Sequence, residues 1–244
     1  SYQAHLSSTT NQKRLIINKN EVLRSSAIFP FITNKVMDTN ILFMGYWLLK
    51  RNIKNIKLKV NVRSENGILL KKIEKKISNI KAFKLSVKKL LNKKKSQSNL
   101  RGSIELEIVS SINMVYPYPA IVVNYEGKNS SSVVHTCGRV YNNKNDFEQN
   151  NQYNVPEAGI DIIPDRNFTP FFSFVNGKKK IFEDEIHVSI LNYLGEELKK
   201  EIILKDIKPY QTKFIFFLKN NKKKFLKNKK GTVKIKHNFK SFFP

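Results

Sequence analysis

Apolar side chains recur at every second position through Leu58-Val60-Val62 and again through Ile186-Val188-Ile190, which is the period of a strand with one buried face. Each run is followed by a glycine at a matching place, in Asn66-Gly67 and Leu194-Gly195, where a tight turn calls for a residue that tolerates positive φ. Both stretches therefore predict a strand, a hairpin turn and a returning strand. The next segment carries a different signal: Leu70, Ile73, Ile77, Ile80, Phe83, Val87 and Leu90 recur every three or four residues, as on an amphipathic helix. Its counterpart in the second stretch holds Pro209 and then Phe214-Ile215-Phe216-Phe217, a proline and an aromatic, β-branched run unsuited to a helix interior. Strand is predicted in both.

These correspondences extend into an internal repeat. A shift of about 128 residues lays Leu58, Val60, Val62, Gly67 and Leu70 over Ile186, Val188, Ile190, Gly195 and Leu198, and neighbouring shifts lay Gly102, Ile104 and Leu106 over Gly231, Val233 and Ile235. The pattern predicts an all-β chain of two tandem antiparallel β-sandwich units related by duplication, each of about seven strands. Residues 1–119 form the first unit and 120–244 the second. A hairpin turning at Glu126 to Ser131 and an Asn-rich loop from Tyr141 to Gly159 lead into the second unit across 120–164.

Composition sharpens the picture only in part. Apolar residues make up 40% of 244 and include 17 Phe, enough to build a buried core. The net charge of +26, from 45 Lys and Arg against 19 Asp and Glu, points to an anionic partner such as nucleic acid, an acidic polysaccharide or a membrane surface. Abundant Lys, Asn and Ile beside only 9 Gly are equally what A- and T-rich codons produce. A single cysteine, Cys137, excludes an intrachain disulfide and a cysteine-rich zinc site and suits a reducing, cytoplasmic compartment. A removed leader, or a longer parent carrying further repeats, stays open. No apolar run approaches the roughly 18 residues of a membrane-spanning helix.

Candidate chemistry is sparse. His135, Cys137 and Arg139 lie close together, but alternate residues of a strand point in parallel about 7 Å apart, so a thiolate–imidazole nucleophile is not expected and no catalytic residue is assigned. Glu157, Asp161 and Asp165, interleaved with Pro156, Gly159 and Pro164, read as turn and cap residues. His5, His135, His187 and His237 lack the spacing of a zinc site, so neither metal nor cofactor is expected. Basic runs recur at matching places, Lys93-Lys94-Lys95 and Lys222-Lys223-Lys224, as two prongs that attract phosphates or acidic sugars, or as solvated loops. Tyr125 and Tyr141, with His135 and Arg139, complete the candidate binding residues.

Pro119-Ala120-Ile121-Val122-Val123 followed by His135-Thr136-Cys137-Gly138-Arg139 resembles the sensory rhodopsin transducer family of small β-sandwich proteins, in which an apolar run after a proline leads to a His-Thr-x-Arg type tail. The resemblance implies a cytoplasmic, oligomeric binding module without catalysis that recognises carbohydrate or nucleic acid. The leading expectation is a non-catalytic sandwich module, in a homo-oligomer, that recognises a protein partner or a saccharide. One alternative is polyanion binding through the basic loops, and another is an enzyme centred on His135, Arg139 and Asp161.

Overall fold

The alternating runs form strands, and the strands assemble into antiparallel sheets. A computed structural model describes residues 23–92, 99–114, 121–136, 139–140, 157–165, 170–216, 222–237 and 242–243. The first half contains β1 (Arg24–Thr33), β2 (Asp38–Met44), β3 (Ile56–Ser64), β4 (Leu69–Ile77), β5 (Ala82–Ser86), β6 (Leu100–Ser110), β7 (Ile121–Glu126), β8 (Ser131–Thr136) and β9 (Arg139–Val140), with short helices α1 (Tyr46–Arg51) and α2 (Val87–Leu90). The second half contains β10 (Glu157–Ile162), β11 (Phe171–Asn176), β12 (Ile181–Asn192), β13 (Glu197–Ile207), β14 (Thr212–Phe216), helix α3 (Lys222–Leu226), β15 (Gly231–His237) and β16 (Phe242–Phe243).

In the first half a sheet ordered β4-β3-β6-β1-β9 faces a sheet ordered β5-β2-β7-β8; in the second, β10-β15-β12-β13 accompanies β14-β11-β16. Leu58, Val60 and Val62 meet Ile104, Leu106 and Ile108 on one side of the first core and Ile41, Phe43, Ile121 and Val123 on the other. Trp47 of α1 closes it, and the rings of Phe43 and Phe83 stack with centroids 5.0 Å apart. Among the described residues the second core is smaller: Ile186, Val188, Ile190, Val233 and Ile235 pack with Phe174 and with Leu226 of α3.

Local geometry repeats between the halves at the spacing of the sequence match. In the β3–β4 turn Gly67 N–H donates to Ser64 O at 2.9 Å and Ser64 N–H to Ile68 O at 2.8 Å; in the β12–β13 turn Gly195 N–H donates to Asn192 O and Asn192 N–H to Glu196 O, each at 3.0 Å. Gly67 and Gly195 have φ of 84° and 80°. Ser64 pairs with Gly102 and Asn192 with Gly231, and both glycines sit where backbone approaches closely. A Cβ at Gly102 would lie 2.0 Å from the Arg63 carbonyl oxygen, and one at Gly231 would lie 2.5 Å from that of Leu191.

Three expectations need correction. The hairpin assigned to the second unit belongs to the first half: β7 pairs with β2 from Asp38↔Glu126 to Phe43↔Ile121, and β9 pairs with β1. Its inward Ile121 and Val123 complete the first core, so β7, β8 and β9 lie with that half. Short helices are also present. The period from Leu70 to Leu90 resolves into β4, β5 and the single turn α2, which Ser86 caps by accepting from Lys89 N at 3.1 Å. Finally, Glu157 and Asp161 lie within strand β10, opposite Lys236 and Thr232, and not in turns; the β-branched Ile160 and Ile162 beside Asp161 favour extension.

The two halves meet at a joint. Ile28 of β1 packs with Val175 and Tyr210, Thr212 N–H donates to Glu65 O at 2.9 Å, and Arg101 lies over the rings of Phe214 and Phe216, 5.5 and 5.0 Å from their centroids. Beneath the Tyr210 ring, the Arg63 guanidinium pairs with Glu105.

Candidate functional site

Around α2 the connection between β1 and β2 and the end of β5 bring lysines together. Asn34 Oδ1 accepts from Val36 N and Met37 N, both at 2.9 Å, a local Asx turn that leaves Lys35 exposed at its tip. Asp38 spends its carboxylate on the fold: Oδ1 accepts from Thr39 N at 2.8 Å and Lys88 N at 3.0 Å, and Oδ2 accepts from Ser86 Oγ at 2.5 Å. That network fixes the start of α2 and with it Lys88 and Lys89. Glu126 Oε2 accepts from Asn40 Nδ2 at 2.8 Å and from Lys84 Nζ at 3.4 Å.

The outcome is an open depression of about 440 Å³ bordered by Lys35, Lys84, Lys88 and Lys89, with Asp38 and Glu126 in its wall. Four ammonium groups border it with two carboxylates; Asp38 is taken up by Thr39, Ser86 and Lys88 donors, and Glu126 by Asn40 and by Lys84, one of the four. Such a bowl attracts an anion by Coulomb forces that weaken with salt.

A second depression, of about 690 Å³, lies on the outer face of β13-β12-β15. Across the strands Ser189 stands between Lys199 and Lys234, and His187 between Glu201 and Lys236. His187 Nε2 lies 3.0 Å from Glu185 Oε1 and its Nδ1 3.6 Å from Glu201 Oε1. Ser189 Oγ donates to Glu197, and that bond holds the Glu197 carboxyl below its ordinary range. This face offers both signs of charge in alternation.

The candidate residues from sequence fall in several places. Tyr125 is largely committed to the fold, its hydroxyl donating to Pro30 O at 2.8 Å and burial pushing its ionisation above the ordinary range. His135 lies on β8 opposite Val122, and Arg139 on β9 opposite Ser26, at the edges of two different sheets; their side chains are outside the described residues, as are Tyr141 and Lys93 to Lys95. Lys222 to Lys224 open helix α3, with Lys224 exposed. Asp161 Oδ1 accepts from Thr232 Oγ1 at 3.2 Å on an exposed edge.

Sequence reasoning missed the bowl around α2, because β2–β5 pairing joins Lys35 to lysines some fifty residues away. The legible trace was Ser86-Val87-Lys88-Lys89, a capping serine followed by two lysines. Other lysines have a different explanation. Lys71, Lys72, Lys75 and Lys76 line β4, and Lys199, Lys200 and Lys205 line β13, both edge strands of their sheets, where lysine discourages edge-to-edge aggregation.

No family model matches the chain, and no curated protein matches it. Among solved structures a β-glucuronidase from glycoside hydrolase family 2 matches, at 10% identity and a TM-score of 0.18, with 88% of this chain laid over 21% of that one. A likeness so slight carries no conclusion for this chain.

Proposed function

We propose that the protein is a non-catalytic binding module made of two copies of one sandwich unit, and that its first half takes up a polyanion. The bowl bordered by Lys35, Lys84, Lys88 and Lys89 carries the reading, since both of its carboxylates are engaged by internal donors. Lys93 to Lys95 continue the basic run directly beyond α2 in sequence. The duplication draws support from the matched strand orders, the identical hydrogen bonds of the two glycine turns, and the two close-approach glycines.

Affinity for heparin and for random-sequence DNA tests the proposal. Four phosphate contacts lose on the order of 10²-fold in affinity between about 50 and 200 mM salt. Replacing Lys35, Lys84, Lys88 and Lys89 together by Ala is expected to remove most binding and flatten that salt slope, while Lys75→Ala with Lys76→Ala on the β4 edge leaves binding near wild type. Equal loss from both sets would reduce the bowl to ordinary surface charge.

A second reading, a saccharide or protein partner held on the second half, draws on the face around His187 and Ser189, where ammonium donors and carboxylate acceptors alternate. It predicts affinity for uncharged glycans or a protein surface that persists at high salt and is lost in Ser189→Trp.

A further inference from the structure

The internal joint has two parts, and the chain carries a second set of both that is unmated among the described residues. The receiving part in the first half is the β3–β4 turn with Arg63. At Gly67 an added Cβ would lie 2.5 Å from Pro209 O and 3.1 Å from the carbonyl carbon of Tyr210, so the opposing turn is seated directly on this backbone. The inserting part in the second half is that opposing turn, with Tyr210 and, beside it, Val175.

Each part has an equivalent in the other half. The β12–β13 turn repeats the hydrogen bonds and the positive-φ glycine of the β3–β4 turn, yet among the described residues nothing lies within 4 Å of a Cβ added at Gly195, and Tyr193 and Leu194 beside it are 46% and 54% exposed. The β4–β5 turn corresponds to the β13–β14 turn. Buried Ile77 and Ile207 end the preceding strands, and the fourth residue on from each accepts an equivalent bond: Gly45 N–H donates to Lys81 O at 3.3 Å and Asn176 N–H to Gln211 O at 2.9 Å. Ile80 then stands where Tyr210 does, and Met44, just before Gly45, where Val175 does. Ile80 is 60% exposed and Met44 37%.

We propose that copies of this chain associate head to tail, the Ile80 turn and Met44 of one copy seated on the Tyr193–Gly195 turn of the next. The residue exchange between the two sets matches at the central contact. Inside the chain a cation, Arg63, meets an aromatic ring, Tyr210, at 4.3 Å; between copies Leu191, the counterpart of Arg63 one residue before the paired Ser64 and Asn192, meets the aliphatic Ile80. Cation with ring and aliphatic with aliphatic are each compatible pairs. The contact joins different surfaces on the two partners, so it propagates into chains or closes into rings. The net charge of +26 opposes association, so salt strengthens it, in contrast to polyanion binding. This inference rests on the turns and holds or fails independently of the lysine bowl.

Sedimentation velocity over a range of protein concentration, at about 0.05 and 0.5 M salt, reads the result. The full chain is expected to grow past dimer mass with concentration, more at the higher salt. Ile80→Asp and Leu194→Asp, both at exposed positions, should each remain monomeric with unchanged circular dichroism. Their equimolar mixture retains one intact insert and one intact seat, and it should double in mass and stop at the dimer. A full chain that stays monomeric throughout, single variants that still assemble, or a mixture that stays monomeric while the full chain assembles would each overturn the proposal.

Discussion

Arg63 donates from Nη1 to Glu105 Oε2 across 2.7 Å at the joint between the halves, where the two side chains are 12% and 7% exposed. Asn61 Nδ2 adds a donor to the same oxygen at 3.1 Å, and the Tyr210 ring lies over the guanidinium. Charges taken from water at this depth persist because each satisfies the other, and the attraction only roughly offsets the desolvation. Removing one partner is therefore worse than removing both. Glu105→Ala is expected to lower unfolding stability by about 3 to 5 kcal/mol, whereas Arg63→Met combined with Glu105→Leu stays close to wild type. Urea unfolding of the single and double variants measures this, and a double variant as unstable as Glu105→Ala would show that the pair contributes net stability.

Gly67 and Gly195 share a turn geometry but not a neighbourhood, which separates two costs. Alanine at either position has to adopt a left-handed conformation, costing about 1 to 2 kcal/mol. At Gly67 the methyl also runs into the backbone of Pro209, whereas at Gly195 it meets none of the described residues. Gly67→Ala is therefore expected to destabilise by about 1 to 3 kcal/mol more than Gly195→Ala, and to do so by loosening the joint. Thermal unfolding of both variants, with proteolysis to detect separation of the halves, checks the difference. Equal losses would mean that the joint yields without cost.

Much of this architecture was legible in the residues because its causes are local. Strict alternation at Leu58-Val60-Val62 and a glycine at Gly67 determine strand and turn wherever the strand lies. Pro209 and the phenylalanines after it were enough to overrule the helical period at Leu70 to Leu90, which arises because β4 is an edge strand whose exposed lysines interrupt its apolar positions. The place of Ile121 to Glu126 was not legible, since an alternating hairpin carries no label for the sheet it joins. The lysine bowl and the Arg63–Glu105–Tyr210 contact were illegible for the same reason: each joins segments whose proximity is created only by strand pairing or by the seating of one half on the other.

Tyr125 links β7 to β1 through its hydroxyl on Pro30 O, and this contact makes a prediction about alkaline stability. Burial disfavours the phenolate, so ionisation in the folded protein lies above the ordinary value of 10.0. A folded-state value raised above the unfolded one means that the folded protein holds its proton where the unfolded chain releases it. The stabilisation is therefore fully present below pH about 10 and declines as the pH rises beyond it. Tyr125→Phe removes the titration and the hydrogen bond together. Near pH 7 the variant should be less stable by about 1 to 3 kcal/mol, because the Pro30 carbonyl loses its donor. Above pH 10 the gap should narrow, since only the parent pays to keep a phenol protonated. Urea midpoints for parent and variant from pH 7 to about 11 measure the convergence, and a constant gap across that range would show that Tyr125 ionises in the folded state as easily as in the unfolded chain.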